Sequence, residues 1–216
     1  MENSEVHVDW WVRSAETADH INANGRNPKY LRSVKLDTAR LTAGINAVEL
    51  IAANDTILLV TPSAFVSDIL DQLSNEQLAG KKIISAIKGV EPNSLKIVGE
   101  YLFENKGVRQ DDFGVITGPC HAEEVAQEKL SYLTFASTNT AFCEQMCGAL
   151  DCSYIKVTPS ADIYGTEISA VLKNVYAIAA GMCHSLGYGD NFQAVLVSNA
   201  IREIKRFIAA VHPIDR

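Results

Sequence analysis

The chain has 216 residues, 47% of them hydrophobic and 21% charged, with a formal net charge of -7. This balance excludes a disordered chain, and the negative charge disfavours nucleic acid as the main partner. The length suffices for one large domain, or for one domain and part of a second. No apolar run approaches about 18 residues, so we expect no membrane span.

The N-terminal residues and the cysteines bear on where the protein works. Residues 1–5 are polar and acidic, which excludes a secretory signal peptide. The five cysteines are an odd number without a repeating framework, and we interpret them as the reduced thiols of a cytoplasmic protein. Cys143 and Cys147 lie four residues apart on a predicted helix. Because no histidine lies nearby in the sequence, we expect no metal site there.

The predicted elements begin with a strand over 6–12, a weak helix over 14–24 and a turn over 25–28. The run 56–60 is rich in apolar and β-branched residues, which is typical of a strand buried on both faces of a parallel sheet. The pattern of strand, loop and helix then repeats. Further strands are predicted at 83–87, 113–117, 132–136 and 154–157, and helices at 65–78, 93–104 and 141–150.

This alternation predicts an α/β fold with a doubly wound parallel sheet. Right-handed crossovers place every strand-to-helix loop at one edge of such a sheet, and open α/β sheets bind their ligands at that edge. Ser63, Lys88 and residues 118–120 all lie just past the carboxyl end of a predicted strand. We therefore expect them to lie together at the ligand-binding edge.

The pattern changes after Pro159. Residues 162–184 are predicted as one long helix, and a glycine-rich turn at 186–190 separates it from a second helix. We predict a domain boundary near residue 160, with an α/β domain over residues 1–160 and the first helices of an all-helical domain over residues 161–216. Two helices with apolar faces need packing partners, so we expect the helical domain to be incomplete.

Lys173 is the most informative charged residue, because it lies inside an apolar helical segment. It is either a lysine that extends along the helix edge to water or a partly desolvated lysine that can act as a general base. Asn174 is either a polar core residue or a substrate ligand. The pattern alone does not decide either question.

The remaining candidates allow a structural and a functional interpretation. Lys88 is a solvated loop lysine unless its loop lies at the ligand edge. Cys120 and His121 lie at a predicted helix start, and no serine or aspartate partner makes them a convincing nucleophile and base. Arg13 follows the first strand, where dinucleotide folds contact the adenosine ribose and an arginine accommodates the 2′-phosphate of NADP. A surface arginine is an equal alternative.

At these motifs the sequence resembles the bacterial NAD(P)-dependent glycerol-3-phosphate dehydrogenases. The segments G-P-C-H-A-E-E at 118–124 and L-K-N-V-Y-A-I-A-A-G at 172–181 are specific to that family, and the matches span nearly the whole chain in the family's order. The other matching segments are W-V-R at 11–13, N-P-K-Y-L at 27–31, V-T-P-S at 60–63, I-K-G-V-E at 87–91, Y-G-T-E at 164–167 and G-Y-G-D-N at 187–191.

The resemblance implies a Rossmann-like fold and the interconversion of sn-glycerol 3-phosphate and dihydroxyacetone phosphate by hydride transfer with NAD or NADP. The reduction supplies the glycerol phosphate backbone of membrane lipids. Arg13 favours NADP. Another dehydrogenase of the same superfamily, acting on a β-hydroxyacid or a sugar acid, is an alternative, but such enzymes lack the segment found at 118–124.

The resemblance also implies roles for seven residues. Lys173 falls on the family's catalytic general acid and base and also binds substrate. Lys88 falls on a position that contacts substrate and cofactor. The other substrate-binding positions are Gly118 and Cys120, and the other cofactor-binding positions are Arg13, Tyr30 and Ala122. Many relatives carry serine where this chain has Cys120, so we expect a weaker hydrogen bond there.

Two departures from the family pattern affect function. The family's G-x-G-x-x-[GA] loop, which follows its first strand, is absent from this sequence, and so are the substrate-binding helices that follow in relatives. We therefore expect a sheet that lacks its first strand, and a chain that is inactive by itself. The alternative is a non-catalytic relative that binds a nucleotide weakly or forms a homodimer.

Overall fold

The computed structural model describes residues 6–212 and shows an α/β sheet followed by two long helices. The strands are β1 (Val8–Trp11), β2 (Leu41–Gly44), β3 (Thr56–Leu59), β4 (Lys82–Ser85), β5 (Phe113–Thr117), β6 (Ser131–Ala136) and β7 (Ile155–Ser160). The helices are α1 (Ala15–Asn24), α2 (Ala47–Ala53), α3 (Val66–Leu70), α4 (Asn75–Leu78), α5 (Val98–Asn105), α6 (Ala122–Val125), α7 (Thr140–Leu150), α8 (Ile163–Ser185) and α9 (Asp190–Val211). The predicted fold class is confirmed. The sequence pattern missed β2 and α2.

The main sheet has the strand order β3-β4-β5-β6-β7, and all its neighbouring pairs are parallel except β5 and β6. The predicted parallel sheet is therefore confirmed for three of its four strand pairs, and β6 runs antiparallel to β5. Parallel neighbours need a crossover, usually through a helix. The connection from β5 to β6 contains only the four-residue helix α6, and the chain returns antiparallel beside the strand that it has just left.

A second sheet holds only β1 and β2, which are parallel. Strands β1 and β3 therefore each pair on one side only, as expected of a sheet that lacks a strand between them. A hydrogen bond of 2.8 Å from Asn54 Nδ2 to Asp9 Oδ2 links the two sheets. The prediction that β3 is buried on both faces is wrong, since Leu59 is buried but Leu58 is 50% exposed.

Hydrophobic clusters cover both faces of the main sheet, which is the doubly wound arrangement. Successive residues of a strand point to opposite faces, and accordingly Ile83 belongs to one cluster and Ile84 to the other. Phe113 lies in the first cluster, and the ring of Phe135 packs edge-on against Phe142 of α7 in the second. The first face carries α3, α5 and the start of α8.

Two helices differ from the sequence prediction. The helix predicted over 65–78 is interrupted, and its second part, α4, is capped by Ser74, which forms a capping box with Gln77. The helix predicted over 93–104 begins only at Val98. The buried carboxylate of Glu91 accepts hydrogen bonds from the main-chain N–H groups of Asn93 and Ser94, which holds that segment in a loop.

The helices α8 and α9 form a hairpin whose beginning packs on the sheet. Asp162 caps α8 by accepting a hydrogen bond of 2.7 Å from the N–H of Gly165. Later turns of α8 are uncovered, with Val175, Ile178 and Met182 each more than half exposed. None of the helices within residues 6–212 is long and apolar enough to cross a membrane.

Candidate active site

A cavity of about 400 Å³ lies where the carboxyl ends of β4 and β5 meet the helical hairpin. Two lysines, two threonines and a serine supply its polar groups, and the α9 side contributes two isoleucines. The lining residues are Lys88, Thr117, Gly118, Pro119, Thr134, Ser169, Ala170, Lys173, Ile201 and Ile204. The structure thus brings three of the sequence-predicted site residues, Lys88, Gly118 and Lys173, to one cavity.

Lys88 is held at the cavity by a close approach of two loops. The next residue, Gly89, lies so near the loop after β3 that a Cβ atom on it would be 2.3 Å from Ser63 Oγ. Any larger residue would push these loops apart. The expectation that Ser63 and Lys88 lie together at the carboxyl edge is therefore confirmed for their loops.

The loop that follows Lys88 is fixed by a buried carboxylate. Glu91 is 1% exposed and accepts hydrogen bonds from the side chains of Asn93 and Ser94 as well as from their main-chain N–H groups. Burial alone would raise the pKa of Glu91, but these bonds, with one from Ser67, outweigh it and lower the pKa to about 2. The carboxylate therefore stays ionised at neutral pH and continues to hold the loop in this conformation.

The segment after β5 packs against β6. A Cβ atom on Gly118 would lie 2.2 Å from the carbonyl oxygen of Tyr132, so this position requires glycine. Cys120 Sγ donates a hydrogen bond of 3.2 Å to the same carbonyl oxygen. The thiol is thus engaged with β6 and does not line the cavity.

Lys173 reaches the cavity from α8. Ser169 and Ala170 lie one turn earlier on the same helix and line the same cavity, which follows from helical spacing. The side chain of Lys173 is exposed, as is that of Asn174. The apolar segment around Lys173 therefore does not bury it within the described residues.

The structure does not bring the remaining predicted residues to this cavity. Arg13 is exposed, two residues beyond the end of β1, and Tyr30 is 67% exposed in the loop after α1. Ala122 is exposed at the first position of α6, whose first turn also carries Glu123 and Glu124. These carboxylates make the start of α6 unsuited to a phosphate.

Sequence reasoning missed several of the lining residues. Ser169 could have been found, because it lies four residues before Lys173 on the predicted helix. Thr134 could not, because it faces the cavity only through the antiparallel placement of β6. Ile201 and Ile204 lie on α9 at helical spacing, but their contact with the cavity depends on how the hairpin packs.

Among residues 6–212, no group of three or more histidine, cysteine or acidic side chains is placed to hold a metal ion. All five cysteines are free thiols. Burial and the neighbouring Cys143 raise the pKa of Cys147 to about 11. That thiol is therefore unreactive at neutral pH.

Fold and cavity together define a doubly wound α/β protein with its ligand site at the carboxyl ends of the strands, as in dinucleotide-binding folds. A sequence model described as the N-terminus of NAD-dependent glycerol-3-phosphate dehydrogenase matches residues 1–143, and one described as its C-terminus matches residues 162–214. The chain belongs to the NAD-dependent glycerol-3-phosphate dehydrogenase family, a family of oxidoreductases.

Individual relatives agree with this assignment. The glycerol-3-phosphate dehydrogenase (NAD(P)+) of Pseudomonas fluorescens is 35% identical over 200 residues, which are 93% of this chain and 58% of the relative. That of Azotobacter vinelandii is 35% identical over 212 residues, 96% of this chain and 60% of the relative. The chain thus spans less than two thirds of these relatives.

Solved structures show the same fold. DsGPDH of Dunaliella salina is 26% identical with a TM-score of 0.89, over 97% of this chain and 37% of that one. Glycerol-3-phosphate dehydrogenase from Coxiella burnetii is 25% identical with a TM-score of 0.85, over 95% of this chain and 62% of that one.

Proposed function

We propose that the cavity is the part of a glycerol-3-phosphate dehydrogenase site that faces the reacting carbon. The reaction interconverts sn-glycerol 3-phosphate and dihydroxyacetone phosphate and serves glycerophospholipid synthesis. The observation that carries this proposal is that Lys88, Gly118 and Lys173, from three separate segments, line one cavity in a member of this family. Two cations beside hydroxyl groups suit a small phosphorylated substrate.

The two lysines divide the chemistry at the substrate's C2 oxygen. In the oxidation, the Lys173 side chain accepts the C2 hydroxyl proton as a hydride leaves C2. In the reduction, the Lys173 ammonium donates this proton to the C2 oxygen as the hydride arrives. Lys88 holds a positive charge at the same oxygen, which stabilises the negative charge that develops there during proton transfer. Bound NAD(P) accepts or supplies the hydride.

The residues at the carboxyl edge fit a dinucleotide. Thr61 Oγ1, in the loop after β3, is buried and has no hydrogen-bond partner among residues 6–212, so a polar group of a ligand at this edge would satisfy it. Lys88 and Ala122 would lie toward the reacting end, and Arg13 and Tyr30 toward the adenosine end. Arg13 would pair with a 2′-phosphate, which favours NADP. Cys120 would contact substrate after turning away from Tyr132.

The role of Lys173 is tested by an activity assay that follows the reduction of dihydroxyacetone phosphate by NADPH. The assay uses the protein as its own gene encodes it. We expect Lys173→Ala to lower turnover by at least about a hundredfold, because a general acid contributes that much or more. Lys35→Ala, at an exposed lysine outside the cavity, is the matched control. Turnover within about tenfold of the parent would show that Lys173 is not the acid and base.

The 216-residue chain by itself is expected to bind NADPH no more than weakly, and therefore to be inactive, because it contains no G-x-G-x-x-G loop to bind the pyrophosphate. A fluorescence titration of NADPH with the purified chain checks this expectation. Binding in the micromolar range would contradict it.

A second candidate function is that of a dimerising module, in which a second copy covers the hairpin. One stripe of α8 carries Val175, Ile178 and Met182 and continues to Leu186 just after the helix, at intervals of three and four residues, and each is more than half exposed. A contiguous exposed stripe of this kind favours association with another apolar face. This candidate applies to the enzyme as well, as a homodimer contact.

Two further proposals concern location and domain organisation. The five free thiols support a reducing compartment, and we propose the cytoplasm. We also propose that residues 1–160 and 161–216 belong to different domains. In support, β7 ends at Ser160, α8 begins at Ile163, and the second family match begins at residue 162.

A further inference from the structure

Glu167 is a buried carboxyl group on α8 that the chemistry above does not use. Its side chain is 3% exposed, and Oε2 accepts a hydrogen bond of 3.0 Å from the N–H of Gly99. The main-chain N–H of Val98 also lowers the pKa of this carboxyl group. Both N–H groups lie in the first turn of α5, whose own N-cap residue, Ile97, makes no side-chain capping bond. Glu167 therefore caps a helix from a different element.

The contact between Glu167 and the start of α5 requires glycine at position 99. A Cβ atom on Gly99 would lie 2.8 Å from Glu167 Oε2 and 2.9 Å from Cε1 of Phe113. Glycine at this position thus lets α8 approach the start of α5 and the start of β5 together. A shift of α8 along its axis would break the hydrogen bond from the Gly99 N–H.

The start of α5 is in turn tied to the Lys88 loop. Ile97 pairs with Val90, two residues after Lys88, and the N–H of Glu91 donates a hydrogen bond of 2.8 Å to the carbonyl oxygen of Lys96. Lys173 lies six residues after Glu167 on α8. One carboxyl group therefore connects the helix that carries Lys173 to the loop that carries Lys88.

A contribution to stability alone does not explain why a carboxyl group occupies position 167. Burial raises the pKa of Glu167 to about 8, and the nearby Glu100 contributes to this increase. A buried polar group of this kind is often less stabilising than a well-packed apolar side chain. Its directional hydrogen bonding does, however, fix the position of α8 relative to α5. An apolar contact would allow the two helices to slide past each other.

We propose that Glu167 is a positioning residue that sets the spacing between Lys88 and Lys173 across the cavity. The inference rests on the proposed function, which assigns both lysines to one substrate. It concerns the geometry of this chain, so its test requires neither cofactor nor turnover.

The experiment measures the crosslink between Lys88 and Lys173 formed by difluorodinitrobenzene, a short bifunctional amine reagent, with peptide mass spectrometry as the readout. Glu167→Asp keeps the carboxyl group but loses reach, and Glu167→Gln keeps reach and an acceptor oxygen. We expect the crosslink yield to fall by about threefold or more in Glu167→Asp and Glu167→Ala, since shifts near 1 Å matter at this range. Glu167→Gln should retain the parental yield.

Phe142→Leu is the control for general destabilisation, because Phe142 packs in the cluster on the opposite face of the sheet. It should lower the melting temperature without changing the crosslink. Parental yield in a folded Glu167→Asp, or an equal loss in Glu167→Gln and Phe142→Leu, would overturn the proposal. If Glu167→Ala does not fold, the comparison of Glu167→Asp with Glu167→Gln decides the question. If Glu167→Gln folds but Glu167→Asp does not, Glu167 serves folding and the proposal is overturned.

Discussion

At the residue scale, two glycines show how the site depends on close main-chain approach. Gly118 lies against the carbonyl oxygen of Tyr132, whereas no atom lies within 4 Å of a Cβ built on Gly148 of α7. The same substitution should therefore have opposite effects at the two positions.

We expect Gly118→Ala to destabilise the fold by about 2 kcal/mol, because the added methyl group forces β6 and the loop apart. Gly148→Ala should stabilise it by about 0.5 kcal/mol, because alanine restricts the unfolded chain and favours the helix. Urea unfolding measures both. Equal effects at the two positions would mean that the loop does not pack on β6 as described.

Single site residues were predictable where a local sequence pattern distinguished them from their neighbours. Lys173 stands out as a charge within an apolar helix, and Lys88 follows a strand directly, and both line the cavity. Cys120 follows a strand as well, but its thiol turns to Tyr132. That choice depends on the neighbouring strand, which a pattern along the chain does not contain.

At the element scale, the contact between α5 and α8 makes stability depend on pH through Glu167. Its pKa is raised from 4.5 to about 8 in the folded state. The folded protein therefore holds this proton more tightly than the unfolded chain does. The associated stability is fully present below about pH 4.5 and is lost as the pH rises through 8.

Glu167→Gln removes this titration because the amide is neutral throughout. Relative to the parent, we expect the variant to gain on the order of 3 kcal/mol of unfolding free energy between pH 4.5 and pH 8. Denaturant unfolding at both pH values measures the difference. Glu91, whose lowered pKa affects stability only at lower pH, does not interfere in this window. Parallel pH profiles for variant and parent would contradict the assigned burial of Glu167.

Element types were predictable from periodicity, whereas element boundaries depended on side-chain hydrogen bonds. The alternation of apolar runs and helical spacing identified β3 through β7. The late start of α5 follows from the carboxylate of Glu91, which competes for the N–H groups of Asn93 and Ser94. Such local competition is not visible in hydrophobic periodicity.

At the scale of the whole molecule, the exposed stripe of α8 predicts self-association. We expect Ile178→Glu to weaken dimerisation by at least about tenfold, because a charge in an apolar contact costs more than 1.4 kcal/mol. Leu130→Glu is the control, since Leu130 is 58% exposed but lies outside the stripe. Sedimentation velocity over a concentration series gives both dissociation constants. A monomeric parent, or equal effects of both variants, would exclude this contact.

The molecule's topology was only partly accessible from its sequence. The doubly wound class follows from the order of elements, because right-handed crossovers leave few alternatives. The antiparallel direction of β6 does not, because it reflects the lack of a full crossover helix in the β5–β6 connection. The separation of β1 and β2 from the main sheet agrees with the missing G-x-G-x-x-G segment.

The central claim is that Lys88 and Lys173 bind the same small phosphorylated substrate in one cavity. It is tested most directly by trace acetylation of the lysines of the protein as its own gene encodes it, with and without millimolar glycerol 3-phosphate, followed by peptide mass spectrometry. The account predicts slower acetylation of Lys88 and Lys173 in the presence of the ligand and an unchanged rate at exposed Lys35. Unchanged rates at Lys88 and Lys173, or equal slowing at all three lysines, would contradict it.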